Sequence, residues 1–140
     1  MKYIFQFIIT ASLLFFLSAC SRDNNNVLPS NALTSIISQS NWIISTFSID
    51  GNDRLYLFGG YRFTFSGNGT VNAARGNGAA AQGTWNSGSA NGKSSLYLDF
   101  SSSPTFNQLN GSWETIELTS GYFRLQKGTS GNDLLSFEAN

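Results

Sequence analysis

Three Asn-Gly pairs, Asn68-Gly69, Asn77-Gly78 and Asn91-Gly92, lie between short segments that alternate apolar and polar residues. No other feature of the chain constrains its fold as tightly. Asn and Gly both tolerate positive φ, and a two-residue turn with two positive-φ positions matches the right-handed twist of the strands it joins. Three such turns in succession tie each strand to its sequential neighbour, which is an antiparallel meander.

The segments follow in order. Trp42–Ile49 reads as the first strand and turns at Asp50-Gly51-Asn52-Asp53. Tyr61, Phe63 and Phe65 then alternate with Arg62 and Thr64, after a Gly59-Gly60 bend. Thr70–Arg75, Ala80–Asn86 and Ser95–Ser101 follow the Asn-Gly pairs, and in the last of these Leu96, Leu98 and Phe100 share one face against Tyr97 and Asp99. Ser101-Ser102-Ser103-Pro104 breaks the pattern, and the spacing of Phe106 and Leu109 predicts a helical turn over Thr105–Asn110. Trp113–Leu118, Tyr122–Lys127 and Leu134–Glu138 complete the series, joined at Ser120-Gly121 and at Gly128–Asn132. The count is eight strands, or nine if Leu55–Phe58 pairs. Ahead of them Leu33, Ile36 and Ile37 recur at helical spacing behind Pro29-Ser30-Asn31, which predicts a short amphipathic helix at about 31–39 acting as a lid. Sequential strands have edges to hide, and closing the sheet into an up-and-down barrel hides them. A two-sheet sandwich is the alternative, and it needs long crossovers that this chain lacks.

Composition narrows the function. The chain has no histidine, one cysteine and eight Lys/Arg against eight Asp/Glu, with neither sign clustered. One cysteine allows no internal disulfide, and without histidine there is no Ser-His-Asp or Cys-His machinery. No basic footprint exists to meet nucleic-acid phosphates. Two carboxylate pairs remain. Glu114 and Glu117, three apart on a strand, are expected on opposite faces, and Asp50-Gly51-Asn52-Asp53 reads as a turn. The expectation is a non-enzyme with no catalytic residue, no metal site and no cofactor.

The N-terminal stretch carries a different signal. Lys2 precedes an apolar run from Tyr3 to Leu17, interrupted by Gln6, Thr10 and Ser12, and the run ends in Leu17-Ser18-Ala19-Cys20. A membrane span needs about 20 apolar residues, and this run is shorter. The small-residue box ending in the lone cysteine resembles a bacterial lipoprotein signal. That resemblance implies removal of residues 1–19 and acylation of Cys20, which would hold the protein to a membrane through lipid. Ser21-Arg22-Asp23-Asn24-Asn25-Asn26 is polar and aperiodic, so residues 20–30 read as a tether and residues 31–140 as one domain. Ser21 after the cysteine leans toward the outer membrane, with the leaflet left open. A secreted protein with a free cysteine is the competing reading.

A second resemblance covers the domain. The order of Trp42-Ile43-Ile44, Asp50-Gly51, Gly60-Tyr61-Arg62-Phe63-Thr64-Phe65, Asn68-Gly69-Thr70-Val71, Gly83-Thr84-Trp85, Leu96-Tyr97-Leu98-Asp99-Phe100, Phe106-Asn107-Gln108-Leu109-Asn110, Trp113, Leu118-Thr119 and Leu134-Leu135-Ser136-Phe137-Glu138 resembles the small lipocalin-like lipoproteins of Bacteroidota. The likeness runs from Asn31 to the C-terminus and implies a calycin-type, lipocalin-like barrel. It transfers no functional residues, because that family carries no agreed catalytic motif.

Trp42 is expected to plug the barrel end against the helix, and Trp85 and Trp113 to sit in core or rim. The same three are the candidate ligand-contacting residues. Phe63, Phe65, Leu98, Phe100 and Phe137 are predicted to face inward. Beyond Cys20 the chain has eight Phe, three Trp and four Tyr, whereas Thr70–Gln82 is mostly Gly, Ala and Asn. This distribution predicts a largely filled barrel with at most a small pocket at one end. The functional expectation is a lipid-anchored envelope module that binds a small apolar ligand or an envelope partner. The alternative is a structural accessory subunit or inhibitor with a filled barrel, whose loops contact another envelope protein.

Overall fold

The computed structural model describes residues 30–90 and 92–140. The expected signal, Cys20 and the tether as far as residue 29 lie outside them, and Ser30, the last residue assigned to the tether, opens the first helix. Helix α1 (Ser30–Ile37) leads into β1 (Asn41–Ile49), β2 (Asn52–Asp53), a 3-10 turn (Leu55–Phe58), β3 (Arg62–Phe65), β4 (Thr70–Arg75), β5 (Gly78–Ala90) and β6 (Lys93–Asp99). A second 3-10 turn (Phe106–Leu109), β7 (Gly111–Leu118), β8 (Tyr122–Lys127) and β9 (Asp133–Ala139) follow. From β3 to β9 each strand pairs antiparallel with the next, and β1 pairs with both β3 and β9, so eight strands close into a barrel. The all-β, up-and-down barrel with a short helix before it is the architecture that the period-two pattern predicts. Leu55–Phe58 does not pair. It forms a 3-10 turn, and β2 instead extends the far end of β1 through Ser48↔Asp53 and Ile49↔Asn52.

The turns differ in chemistry from the expectation. The device with two positive φ values sits at Asp50-Gly51 (φ 51° and 75°), where Ile49 pairs with Asn52. At Asn68-Gly69 only the glycine is left-handed (φ 85°); Gly69 N–H donates to the Ser66 carbonyl at 3.0 Å, and Asn68 Oδ1 accepts from Thr70 N at 3.0 Å. At the next hairpin Arg75 pairs with Gly78, so the central residues are Gly76-Asn77, one position earlier than expected. Gly76 carries the positive φ (63°), which fits a turn with glycine first.

Three bulges interrupt the ladders. The extra residue is Ser45 in β1, Ala80 in β5 and Ile116 in β7. The last one corrects an expectation: Glu114 pairs with Gln126 and Glu117 with Arg124, so the inserted Ile116 returns Glu117 to the outer face that Glu114 already occupies. A bulged strand loses strict period two. Glu114 ion-pairs with Lys93 from β6.

The core fills the barrel and seals both ends. Phe63, Phe65, Leu98, Phe100 and Phe137 all face inward, as alternation predicts, and each is at most 1% exposed. At the end where β1 begins, α1 buries Leu33 and Ile37, and Thr34 hydrogen-bonds Ser87 of β5 through their hydroxyls. At the opposite end the two 3-10 turns bury Phe58 and Phe106, whose rings meet at 5.4 Å, and Tyr61 packs edge-on to Phe106 at 5.1 Å.

Candidate functional site

The three tryptophans do not converge. Each anchors a different connection to the barrel wall. Trp42 is fully buried beside Phe123 (4.7 Å), and its indole N–H donates to the Ile37 carbonyl at 2.8 Å. That carbonyl is one of those a helix C-terminus leaves without an intrahelical partner. Trp113 does the same for the second 3-10 turn, donating to the Leu109 carbonyl at 2.7 Å. Trp85 donates to the Ser66 carbonyl at 3.0 Å and so fixes the turn between β3 and β4. All three donors are used on main-chain acceptors. None of the three lines the grooves described below.

Inside the barrel, rings take the space that a ligand would need. Phe137 lies 5.5 Å from Phe63, 5.8 Å from Phe65 and 4.7 Å from Phe123, and Phe63 reaches Phe100 at 6.4 Å. Buried hydroxyls on the inner wall come from Ser94 of β6 and Thr115 of β7, and neither oxygen has a hydrogen-bond partner among the described residues.

Among the described residues, two grooves lie on the outside of the barrel. They meet over β4 and β5. One, about 340 Å³, is lined by Thr70, Gln82, Gly83, Thr84, Asp99, Ser101 and Ser102. The other, about 480 Å³, is bounded by Asn72, Ala80, Ala81 and Gln82 on the sheet side and by Ser102-Ser103-Pro104 opposite. Gln82 and Ser102 are common to both, so they form one continuous feature. Its floor is set by the Gln82 amide donating to Asn72 Oδ1 at 3.2 Å. Asp99 stands at one end, its Oδ1 accepting from Ser101 N at 2.9 Å, from the Ser101 hydroxyl and from Asn110 Nδ2 at 3.3 Å.

Amides, hydroxyls and one carboxylate equip this groove for hydrogen bonding to a bound molecule. Among the described residues no group of three or more His, Cys, Asp or Glu is placed to hold a metal ion, and no helix is long and apolar enough to cross a membrane. Sequence reading missed the groove. It depends on where β6 leaves the sheet, and the one local signal was Gly83, which sits where a Cβ would collide with the Asp99 carbonyl oxygen and lie 2.8 Å from Phe100 Cδ1.

No protein-family model, no curated protein and no solved structure matches this chain.

Proposed function

We propose that the protein is a lipid-anchored module of a bacterial envelope that works by contacting a partner protein with the outside of a solid barrel. The observation that carries this reading is the filled interior, closed by α1 at one end and by Phe58 and Phe106 at the other. An eight-stranded barrel is just wide enough to be packed by its own side chains or to hold one small ligand. Here the rings of Phe63, Phe65, Phe123 and Phe137 occupy that space, which favours a partner over a small apolar ligand. Absence of histidine from the sequence supports a non-enzymatic role.

The anchor rests on Leu17-Ser18-Ala19-Cys20. Two acyl chains are enough for stable membrane attachment. Cys20→Ser should abolish incorporation of a fatty-acid analogue and release the protein from the membrane fraction without unfolding it; label retained on the variant would sink the lipoprotein reading. Titration with fatty acids and hydrophobic dyes, followed by tryptophan emission, should give no saturable one-to-one binding in the micromolar range. Saturable binding would mean that the plugs open and would restore the ligand-carrier reading.

A further inference from the structure

β5 is thirteen residues long, and its two neighbours do not cover it equally. β4 pairs with it from Gly78 to Thr84, whereas β6 pairs with it only from Thr84 to Ala90. After Asp99 the chain turns inward. Phe100 enters the core, its amide N–H held by Asn110 Oδ1 at 2.6 Å, and Ser102-Ser103-Pro104 stands away from β5. The lane that β6 would have continued along is therefore vacant, and it is the 480 Å³ part of the groove.

Residues 78–83 make no backbone hydrogen bond other than to β4 among the described residues. In an antiparallel ladder backbone groups point alternately to either side, so part of this stretch turns N–H and C=O groups into the lane. A closed barrel normally abolishes such edges, and exposed ones are usually blunted by charge, lysine or proline. Gly78–Ala90 has none of these, and its one blunting device is the bulge at Ala80. A comparable gap on β1 is covered, because Arg54 N–H donates to the Phe47 carbonyl at 2.8 Å and Phe58 packs on Phe47 at 5.1 Å. The gap on β5 is left open.

We propose that this lane receives an extended peptide segment of a partner protein, which adds to β5 as an antiparallel strand in the place β6 vacates. Unpaired backbone groups in a row are matched by another backbone, the mode in which main-chain bonds supply affinity and flanking pockets supply specificity. Direction follows from the sheet: a strand antiparallel to β5 starts at Gly83 and ends beside Gly78, so its N-terminal end lies at Asp99. Complementarity calls for a lysine, an arginine or a free amine there, and for uncharged residues along Ala80 to Gln82. A second copy of the barrel is the poorer occupant. Ser102-Ser103-Pro104 walls the lane, making it a slot for one strand, and the copy's own β5 is walled in the same way.

This inference rests on the reading of the barrel as a partner-binding module, and its test separates the two. The full-length acylated protein in detergent micelles is titrated with fluorescent octapeptides of alternating Thr and Val, uncharged except for an N-terminal Lys. Each peptide is compared with a version N-methylated at alternate residues on one edge, which keeps the side chains and removes the donors. Expected are saturable binding, slowed hydrogen exchange confined to the amides of 79–83, and at least a tenfold loss on methylation. Asp99→Asn keeps the oxygen that holds Ser101 and Asn110, and should weaken binding roughly two- to fivefold, as for an exposed ion pair. Equal binding of methylated and unmethylated peptides, protection mapped to another part of the barrel, or no binding by any peptide up to millimolar concentration would overturn the proposal. In those cases the module reading survives if cross-linking in intact envelopes joins the protein to a partner through other surfaces. Saturable fatty-acid binding would instead remove the module reading itself.

Discussion

The two walls of the barrel are built from different stock. β1, β3, β8 and β9 contribute Trp42, Phe47, Phe63, Phe65, Phe123 and Phe137 to the interior, whereas β4 and the first half of β5 offer Val71, Ala73, Ala81 and Gly83. Rings from the first wall reach across to the second. Phe137 touches Phe63, Phe63 touches Phe100, and Phe100 lies beneath Gly83, so one row of rings spans the interior. The difference teaches where volume and continuity trade places. The ring-bearing wall is sealed along the β1–β9 seam, while the small-residue wall lets rings in and lets the sheet part from β6 at Gly83.

Truncation on the ring-bearing wall should cost most. Phe137→Ala is expected to lose about 3–5 kcal/mol in urea unfolding, against a total of about 5–15 kcal/mol for a domain. Val71→Ala, on the small-residue wall, should lose about 2 kcal/mol, two methyl groups at about 0.8 each plus a small cavity. If Val71→Ala matched Phe137→Ala, the asymmetry would be one of shape and not of energy. Adding a methyl should hurt only where the wall parts. Gly83→Ala should cost about 1–3 kcal/mol by overpacking, since the new carbon collides with Asp99 and Phe100. Gly88→Ala, five residues along the same strand and 3.4 Å from Ser95 Oγ alone, should stay within about 0.5 kcal/mol of the parent. Smallest of all, Asn72→Ala removes an exposed bond to Gln82 on the outer surface and should shift the melting midpoint by no more than a degree or two.

Much of this contrast could be read from residue order. Alternation placed Leu96, Leu98 and Phe100 on one face correctly, and it bounded Thr70–Arg75 and Tyr122–Lys127 to the residue. Helical spacing found α1 and the turn at Phe106–Leu109. The failures have physical causes. Leu55–Phe58 looks like a strand because it is apolar throughout, yet it follows a tight hairpin and must fold back over Phe47, which a 3-10 turn does and a strand does not. Bulges at Ser45, Ala80 and Ile116 add a residue without any composition signal, since what they answer to is register on the neighbouring strand. The groove was invisible for a related reason. Gly-Ala-rich strands lack side chains that report pairing, so β5 read as Ala80–Asn86 when it runs from Gly78 to Ala90. The three tryptophans were conspicuous as candidates because they are rare and large, but each spends its N–H on a carbonyl within the chain.

The β1–β9 seam also sets an order of events. All other ladders of the barrel join strands that are neighbours in sequence, or nearly so, and can form as each hairpin is made. Only the seam joins residues about ninety positions apart, such as Ile44 and Phe137. Closing a loop of that length costs about 4 kcal/mol of chain entropy by the logarithmic rule, so the seam is repaid only once the meander has brought its ends together. A chain that emerges N-terminus first from a ribosome or a translocation pore therefore carries β1 as a waiting edge until the last strand arrives. Until then the barrel is a curled sheet with two free margins, each open to pairing with another strand until β9 docks on β1.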